Sequence, residues 1–297
     1  MKKNETDNPR KQHYHTEFPD QEQETPALQK FMTPKPDCGE ESYQGSNRLE
    51  GRNALITGGD SGIGRAAAIA FAREGANVAI QFLPGEEEDA SEVKKYIEET
   101  GQKALLLAYD LRQEGAATKI VEETVESFGS IDSLVLNAAQ QIAQPSLTDR
   151  SIKQVEDTFK VNVISMFETV TAAEKYLEAG NTIVTTSSVQ SFDPSPPLMD
   201  YAATKAAISN LTVSLSAYFA DKGIRVNSVA PGPIWTPLQL DNGQLDGEIS
   251  DFGQNAPLGR AGQPVELAPV YVFLTSEESS YVTGQIYGVT GGQPINL

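Results

Sequence analysis

The chain has 297 residues, a formal net charge of −18, a single cysteine (Cys38) and two histidines (His13 and His15) near its N-terminus. An acidic surface repels phosphate backbones, and one cysteine cannot form an internal disulfide or a thiolate zinc cluster, so we expect neither a nucleic-acid partner nor a metal site. No apolar run approaches the roughly 18–20 residues of a membrane span and none follows the basic N-terminus, which indicates a cytoplasmic protein whose main body works without histidine.

The first fifty residues differ in texture from the rest of the chain. They carry five prolines among charged and amide residues, with few apolar side chains. Such a segment alone cannot bury enough surface to offset its ordering entropy. Two interpretations stay open for residues 1–50: a disordered tail, or an arm that packs along its own domain or a neighbouring subunit. An arm would be anchored by apolar side chains, namely Phe18, Leu28, Phe31, Met32 and Tyr43.

From Asn53 onward, short apolar segments alternate with longer amphipathic stretches. The predicted strands are Asn53–Thr57, Asn77–Leu83, Lys103–Tyr109, Ser133–Asn137, Thr182–Ser187, Arg225–Ala230 and Gln285–Val289. The predicted helices are Ile63–Glu74, Glu87–Thr100, Glu114–Phe128, Ser151–Glu178, Met199–Lys222 and Val265–Thr275. This alternation predicts one doubly wound α/β domain of Rossmann type over residues 51–297, with a parallel seven-stranded sheet and helices on both faces.

A glycine-rich turn follows the first predicted strand. Gly58, Gly62 and Gly64 form a T-G-x-x-x-G-x-G pattern. A dinucleotide pyrophosphate must approach the backbone closely, which a Cβ prevents, and the helix that follows offers free N–H groups and a positive dipole end. The third glycine lets helix and strand pack tightly. The turn therefore predicts a dinucleotide site, and the residues between these glycines would belong to it: Asp60, Ser61 and Ile63.

Tyr201 and Lys205 are four residues apart on a predicted helix, so their side chains lie on one face. A phenol has a pKa near 10, and a neighbouring ammonium lowers it by favouring the phenolate. We therefore expect Tyr201 to exchange a proton with a substrate oxygen while hydride moves to or from a nicotinamide. Ser188, at the end of a predicted strand, would hydrogen-bond the same oxygen. Asn162 lies in an apolar helical stretch, where its amide needs partners.

The glycine turn and these four polar residues together resemble the classical short-chain dehydrogenases/reductases. T-G-x-x-x-G-I-G is the cofactor signature of that family, and Ser188 precedes Tyr201 by thirteen residues, as it does there. The resemblance covers roughly residues 50–297 and implies that Asn162, Ser188, Tyr201 and Lys205 form a catalytic tetrad. In the family the asparagine bends its helix and holds a water linked to the lysine. The resemblance also implies an NAD(P)-dependent alcohol–carbonyl oxidoreductase and a homotetramer, with Tyr281–Leu297 in an interface.

The same resemblance implies further cofactor contacts at the ends of the predicted strands. Asp110 and Leu111 would lie near the adenine, and Asn137, Ala138 and Ala139 resemble an N-A-G segment in which alanine replaces the glycine. The segment after the sixth strand would hold the nicotinamide carboxamide, through Pro231, Gly232, Ile234 and Thr236. Tyr201 and Lys205 are counted among the cofactor contacts as well.

The choice of nicotinamide cofactor is predicted from the end of the second strand. The position that is usually acidic falls at Phe82, which does not discriminate between NAD and NADP. No Arg or Lys occurs in residues 58–63 or 81–91, and four acidic residues follow closely: Glu86, Glu87, Glu88 and Asp89. These carboxylates favour NAD over NADP if they lie near the ribose. Otherwise they are a solvated first turn of a helix, which the helix dipole also favours.

The substrate is not identified by the sequence. Candidate substrate contacts are Ser188, Gln140, Gln190 and Trp235, with Gln141 and Phe192 also possible, beneath a loop over Pro237–Gly262. A small aldehyde, ketone, sugar or secondary alcohol fits equally. Two other functions stay open: a cofactor-sensing module without catalysis, and an interaction protein that acts through its N-terminal extension.

Overall fold

A computed structural model describes residues 8–14 and 16–295. It contains a seven-stranded parallel sheet of order β3-β2-β1-β4-β5-β6-β7. The strands are β1 (Asn53–Thr57), β2 (Asn77–Phe82), β3 (Ala104–Ala108), β4 (Ser133–Leu136), β5 (Thr182–Thr186), β6 (Arg225–Pro231) and β7 (Ile286–Val289). The α-helices are α1 (Gly62–Arg73), α2 (Glu87–Glu99), α3 (Ala116–Phe128), α4 (Ile152–Phe159), α5 (Ser165–Ala173), α6 (Met199–Ala220), α7 (Pro237–Leu240) and α8 (Ala268–Thr275).

Helices cover both faces of this sheet, which is why the central strands are buried along their whole length. Every residue of β1 is buried. One hydrophobic cluster joins the sheet to α1, α2 and α8, and a second cluster joins the opposite face to α3, α5 and α6. The doubly wound parallel sheet predicted from the sequence is therefore confirmed. Among the described helices, none combines the length and apolarity that crossing a membrane requires.

The strand order places a crevice at one edge of the sheet. β1 pairs with β2 on one side and with β4 on the other, so the chain leaves the two central strands in opposite directions. In open α/β sheets, such a switch point separates the connecting loops at the carboxyl ends of the strands and leaves room for a ligand. The glycine turn after β1 and the segment after β4 border this crevice.

The long helix predicted over Ser151–Glu178 is interrupted. A π-helical turn, Lys160–Ile164, separates α4 from α5, and a 3₁₀ turn, Glu174–Tyr176, follows α5. Asn162 lies in the π-turn, where its amide bonds to groups outside the helix. The short helix α7 was not predicted, because it lies in a segment whose composition is that of a loop. The remaining 3₁₀ turns are Gln29–Phe31, Val189–Ser191, Pro196–Leu198, Pro264–Glu266 and Glu277–Ser279.

Residues 16–50, here called the N-terminal arm, pack against α1 and against the loop that follows β6. Phe18, Met32 and Tyr43 are buried, and Leu28 is half-buried, as expected for anchors of an arm. The prediction that Phe31 anchors the arm is wrong: its side chain is 64% exposed, because the 3₁₀ turn Gln29–Phe31 directs the ring outward.

A buried carboxylate joins the end of the arm to the end of α1. Glu74 accepts hydrogen bonds from the Tyr43 hydroxyl (2.6 Å), the Arg48 guanidinium (2.6 Å) and two backbone N–H groups of the arm. Burial by itself would raise the pKa of Glu74, but these donors outweigh it and lower the pKa to about 2. The arm therefore contributes the groups that keep a fully buried charge satisfied.

Candidate active site

A cavity of about 690 Å³ lies at the carboxyl edge of the sheet. Its walls are the turn after β1, the ends of β2 to β6, the first turns of α6 and the loop after β6. The predicted cofactor residues on these walls are Gly58, Asp60, Ser61, Gly62, Ile63, Asp110, Leu111, Asn137, Ala138, Ala139, Tyr201, Lys205, Pro231, Gly232, Ile234 and Thr236. The structure thus brings together segments that are far apart in sequence.

The glycine positions of the turn leave no room for a Cβ. Gly58 and Gly62 have positive φ angles of 61° and 51°, and a Cβ on Gly62 would lie 2.8 Å from Thr236 Cγ2. A Cβ on Gly64 would lie 1.8 Å from the Gly58 carbonyl oxygen, so Gly64 serves close packing behind the cavity wall. Ile63 lines the cavity, and its N–H donates to no group in the described part of the chain. A narrow cradle with a free helix N–H fits the pyrophosphate of a dinucleotide.

The turn is held from the side by the end of β4. The Asn137 side-chain amide donates to the carbonyl oxygens of Thr57 (3.3 Å) and Gly58 (3.2 Å). In return, the Thr57 hydroxyl accepts from the backbone N–H groups of Asn137 (2.9 Å) and Ala138 (3.1 Å). These bonds fix the two central strands relative to each other at the point where the crevice opens.

Tyr201, Lys205 and Ser188 meet on the opposite wall of the cavity. Tyr201 and Lys205 are 7% and 1% exposed, and Lys205 Nζ lies 5.3 Å from the centre of the Tyr201 ring. Lys205 Nζ donates to the Thr186 carbonyl oxygen at 2.8 Å, so the ammonium is held at the end of β5. The Ser188 hydroxyl accepts from the Gln190 N–H at 3.1 Å.

Burial dominates the acid–base properties of this wall. It raises the pKa of Tyr201 to about 12, against a smaller opposing effect of the Ser188 hydroxyl, and it lowers the pKa of Lys205 to about 7. The sequence predicts a lowered pKa for Tyr201, because the spacing reveals only the neighbouring ammonium and not the depth of burial. In the structure, the raised pKa keeps the phenol neutral at neutral pH.

Asn162 lies behind the cavity wall, fully buried. Its side-chain oxygen accepts from Gln140 N (2.7 Å), and its amide donates to Gln140 O (3.0 Å) and Thr204 Oγ1 (2.9 Å). The Thr204 hydroxyl in turn donates to the Tyr201 carbonyl oxygen at 2.6 Å. Asn162 thus ties the segment after β4 to the first turns of α6, and its amide groups are satisfied by these partners.

Three side chains expected near the ligand lie elsewhere. Trp235 is fully buried and stacks on Phe18 of the arm with ring centres 3.9 Å apart. It was predicted to contact the substrate, but it lies off the cavity wall. Phe82 is 2% exposed and packs in the core, because alternate side chains of β2 point to opposite faces. Phe192 also lies outside the cavity wall. The predicted substrate residues Gln140, Gln141, Gln190 and Ser188 do line the cavity.

Sequence reasoning missed Gln81, which precedes Phe82. Its side chain lines the cavity, accepts from the Gly58 N–H (3.1 Å) and donates to the Tyr109 carbonyl oxygen (2.8 Å). Gln81 therefore braces the glycine turn from β2. The available signal was an amide within the otherwise apolar run Val78–Phe82, since a buried amide needs partners.

Acidic side chains gather at one end of the cavity. Burial, followed by the charge of Asp60, raises the pKa of Glu86 to about 9, and burial raises the pKa of Asp60 to about 7. Glu86 also accepts a hydrogen bond from the Leu83 N–H at 2.8 Å. Arg112 lines the cavity as well, but its guanidinium pairs with Asp110 at 2.8 Å. No unpaired cation thus faces this end within the described residues.

The sheet order, the glycine cradle and the buried Tyr201–Lys205 wall define an oxidoreductase that binds a nicotinamide dinucleotide. The chain belongs to the short-chain dehydrogenase/reductase family. A family model described as enoyl-(acyl carrier protein) reductase matches residues 58–293.

Individual relatives agree with this assignment. The chain is 58% identical over 290 residues to "Uncharacterized oxidoreductase YhxD" of Bacillus subtilis (strain 168), covering 97% of each chain. It is 41% identical over 286 residues to "Glucose and ribitol dehydrogenase" of Daucus carota, covering 94% of this chain and 98% of the other. A crystal structure of a short-chain dehydrogenase from Burkholderia cenocepacia J2315 in complex with NADP has 33% identity and a TM-score of 0.76, covering 83% of this chain and 99% of that one.

The raised pKa of Glu86 predicts a pH-dependent loss of stability. Between about pH 4.3, where the unfolded carboxyl titrates, and about pH 9, the folded chain binds the extra proton. The free energy of unfolding therefore falls as pH rises through this window. Glu86→Gln removes the titration and keeps an oxygen for the Leu83 N–H. We expect it to raise Tm by about 2 °C or more at pH 8.5 and hardly at pH 5, as measured by calorimetry.

The exposed Glu87→Gln variant is the matched control, because it makes the same charge change outside the cavity. An equal Tm gain for Glu86→Gln at both pH values would contradict the assignment.

Proposed function

We propose that the protein interconverts an alcohol and a carbonyl by hydride transfer with a nicotinamide cofactor, and that Tyr201 is the proton donor and acceptor. One observation carries this proposal: Tyr201, Ser188 and Lys205 share a single cavity with the glycine cradle. A hydroxyl that donates beside a dinucleotide cradle supports exchange of a proton at the substrate oxygen. The non-catalytic sensing module stays the alternative, since it needs the cradle alone.

In carbonyl reduction, the neutral Tyr201 hydroxyl donates its proton to the substrate oxygen as negative charge develops there. Ser188 donates a second hydrogen bond to that oxygen and so shares the charge. Lys205, held by the Thr186 carbonyl at 2.8 Å, stabilises the phenolate that remains. When bound, the cofactor supplies the hydride. Thr236 lies against Gly62, and Thr236 and Ile234, both on the cavity wall, would hold the nicotinamide carboxamide.

Tyr201→Phe tests the acid–base assignment. Removing only the hydroxyl is expected to lower kcat by about 10²–10⁴-fold, the range for loss of a general acid, and to leave the dissociation constant for NADH within about twofold. Tyr218→Phe is the matched control, because Tyr218 is an exposed tyrosine on the same helix, outside the cavity. Near wild-type turnover in Tyr201→Phe would rule out the proposed donor.

We further propose NAD rather than NADP as the cofactor. The end of the cavity next to β2 carries Asp60 and Glu86, and the guanidinium of Arg112 on the cavity wall is already paired with Asp110. Carboxyl oxygens accept hydrogen bonds from ribose hydroxyls, and above the raised pKa values of Asp60 and Glu86 both groups are carboxylates that repel a 2′-phosphate. The Burkholderia cenocepacia relative was crystallised with NADP, so the preference proposed here is a property of these particular side chains.

Titration with the two reduced cofactors, followed by nicotinamide fluorescence, measures this preference. At about pH 9.5, where Glu86 and Asp60 are both ionised, we expect NADH to bind at least about tenfold more tightly than NADPH, because one uncompensated charge contact at partly screened distance is worth more than about 1.4 kcal/mol. Equal affinities would show that the acidic end does not face the ribose.

We propose a neutral, polyhydroxylated substrate. Around Tyr201 the cavity is lined by amide side chains, and the Nε2 groups of Gln190 and Gln239 donate no hydrogen bond within the described residues. Such donors suit the hydroxyl oxygens of a sugar or polyol. Among the described residues, no free cation lies beside these amides to favour an anionic substrate. The Daucus carota relative is named for glucose and ribitol, which supports this class.

A matched pair of five-carbon alcohols tests the substrate class. Ribitol is expected to have a kcat/KM at least about tenfold above that of 1-pentanol, because the amide groups remain unpaired beside an apolar chain. The measurement is NADH formation with each alcohol. A preference for 1-pentanol would overturn the polyol assignment and leave the hydride-transfer assignment intact.

A homotetramer, a cytoplasmic location and the division into residues 1–50 and 51–297 also remain proposals. Exposed apolar side chains on α5 and α6, among them Phe167 and Val213, support an interface between copies. The segment Tyr281–Leu297, expected at an interface by resemblance, extends beyond the described residues at positions 296 and 297.

A further inference from the structure

The N-terminal arm reaches both sides of the dinucleotide cleft. Thr25 and Ala27 line the same cavity as the glycine cradle and Glu86. We propose that residues 25–29 form a third wall of the cofactor site, at its adenosine end, and help to discriminate against a 2′-phosphate. The inference rests on the proposed function, because it assumes that a nicotinamide dinucleotide occupies the cavity.

Gln29 connects the arm to the glycine turn. Its side chain is fully buried, and Oε1 accepts from the Gly62 N–H at 2.7 Å. The amide Nε2 donates to Cys38 Sγ (3.3 Å), and the Gln29 backbone N–H donates to Asp89 Oδ2 (2.6 Å). One N–H at the start of α1 is thereby satisfied by the arm, which leaves the next one, on Ile63, for the ligand. Gln29 is therefore a positioning residue for the cradle.

The preceding residues of the arm cover the adenosine end. A Cβ on Gly85 would lie 3.2 Å from Pro26 Cγ, so Pro26 packs on the turn that carries Glu86. The Thr25 hydroxyl bonds to Asp241 and accepts from Asn242 Nδ2 at 3.2 Å. Residues 25–27 thus bridge the turn after β2 and the loop after β6, the two walls between which a ribose would lie.

The charges around this bridge disfavour a phosphate. Asp60, Glu86 and Asp241 all line this part of the cavity, and the charges of Asp60 and Asp241 add to burial in raising the pKa of Glu86. The lysines of the arm are engaged elsewhere, since Lys30 pairs with Glu88 and Lys35 with Glu92 at 3.2 Å. The arm therefore closes the site with neutral groups and brings no cation to it.

The NADP-bound relative offers a contrast in chain extent. The alignment with that structure leaves part of this chain unmatched while covering 99% of the other chain, and the family model begins at residue 58. The wall formed by residues 25–29 thus lies outside the part of the chain that the family model matches.

A charge introduced in this wall tests the inference. Thr25→Arg replaces an exposed residue on the cavity wall with a cation and should raise the ratio of NADPH affinity to NADH affinity at least about fivefold, by attracting the 2′-phosphate and offsetting Asp241. Phe31→Arg is the matched control, because it makes a cation-adding change in the same arm at a position that is 64% exposed and off the cavity wall. Its ratio should equal that of the wild type.

Both dissociation constants are measured by nicotinamide fluorescence on one preparation of each full-length variant, so the ratio does not depend on the fraction of folded protein. An unchanged ratio in Thr25→Arg, or an equal change in both variants, would overturn the proposal. Wild-type protein that binds neither NADH nor NADPH would instead overturn the proposed function, so the two failures are distinguishable.

Discussion

The turn between β1 and α1 is the constraint on which the rest of the site depends. Its backbone passes so close to neighbouring atoms that a Cβ at Gly62 or Gly64 would overlap them. Five segments converge on this turn: β2 through Gln81, β4 through Asn137, the loop after β6 through Thr236, the arm through Gln29, and α1 itself. Because these contacts come from different elements, the turn fixes the positions of those elements around the cavity.

The cavity wall that holds Tyr201 and Lys205 buries two ionisable groups away from water. Lys205 and Tyr201 each lose the solvation of their charged forms, so both move toward neutrality in the absence of a ligand. Burying a neutral pair costs less free energy than burying an ion pair with imperfect partners. The positive charge of an oxidised nicotinamide, when bound, would favour the phenolate form of Tyr201.

Local patterns in the sequence predicted the parts of the molecule that depend on local physics. The seven strands follow from short apolar runs, and the spacing of Tyr201 and Lys205 is a property of one helix. The π-turn at Lys160–Ile164 and the inward direction of Trp235 depend on contacts with residues far away in the chain, which composition cannot encode. The pKa of Tyr201 was assigned the wrong direction for the same reason: the depth of burial is a tertiary property. The role of Gln29 was missed because an isolated glutamine in a proline-rich segment gives no periodic signal.

The burial of the only tryptophan against the arm has a practical meaning for spectroscopy. Trp235 stacks on Phe18, and its indole N–H donates to the Pro34 carbonyl oxygen at 2.8 Å. Its emission therefore reports on a boundary between two segments that are some two hundred positions apart in the chain. A red shift of that emission signals water entering between arm and loop, whether or not the sheet has melted. The fluorescence of Trp235 thus reports detachment of the N-terminal arm from the rest of the chain.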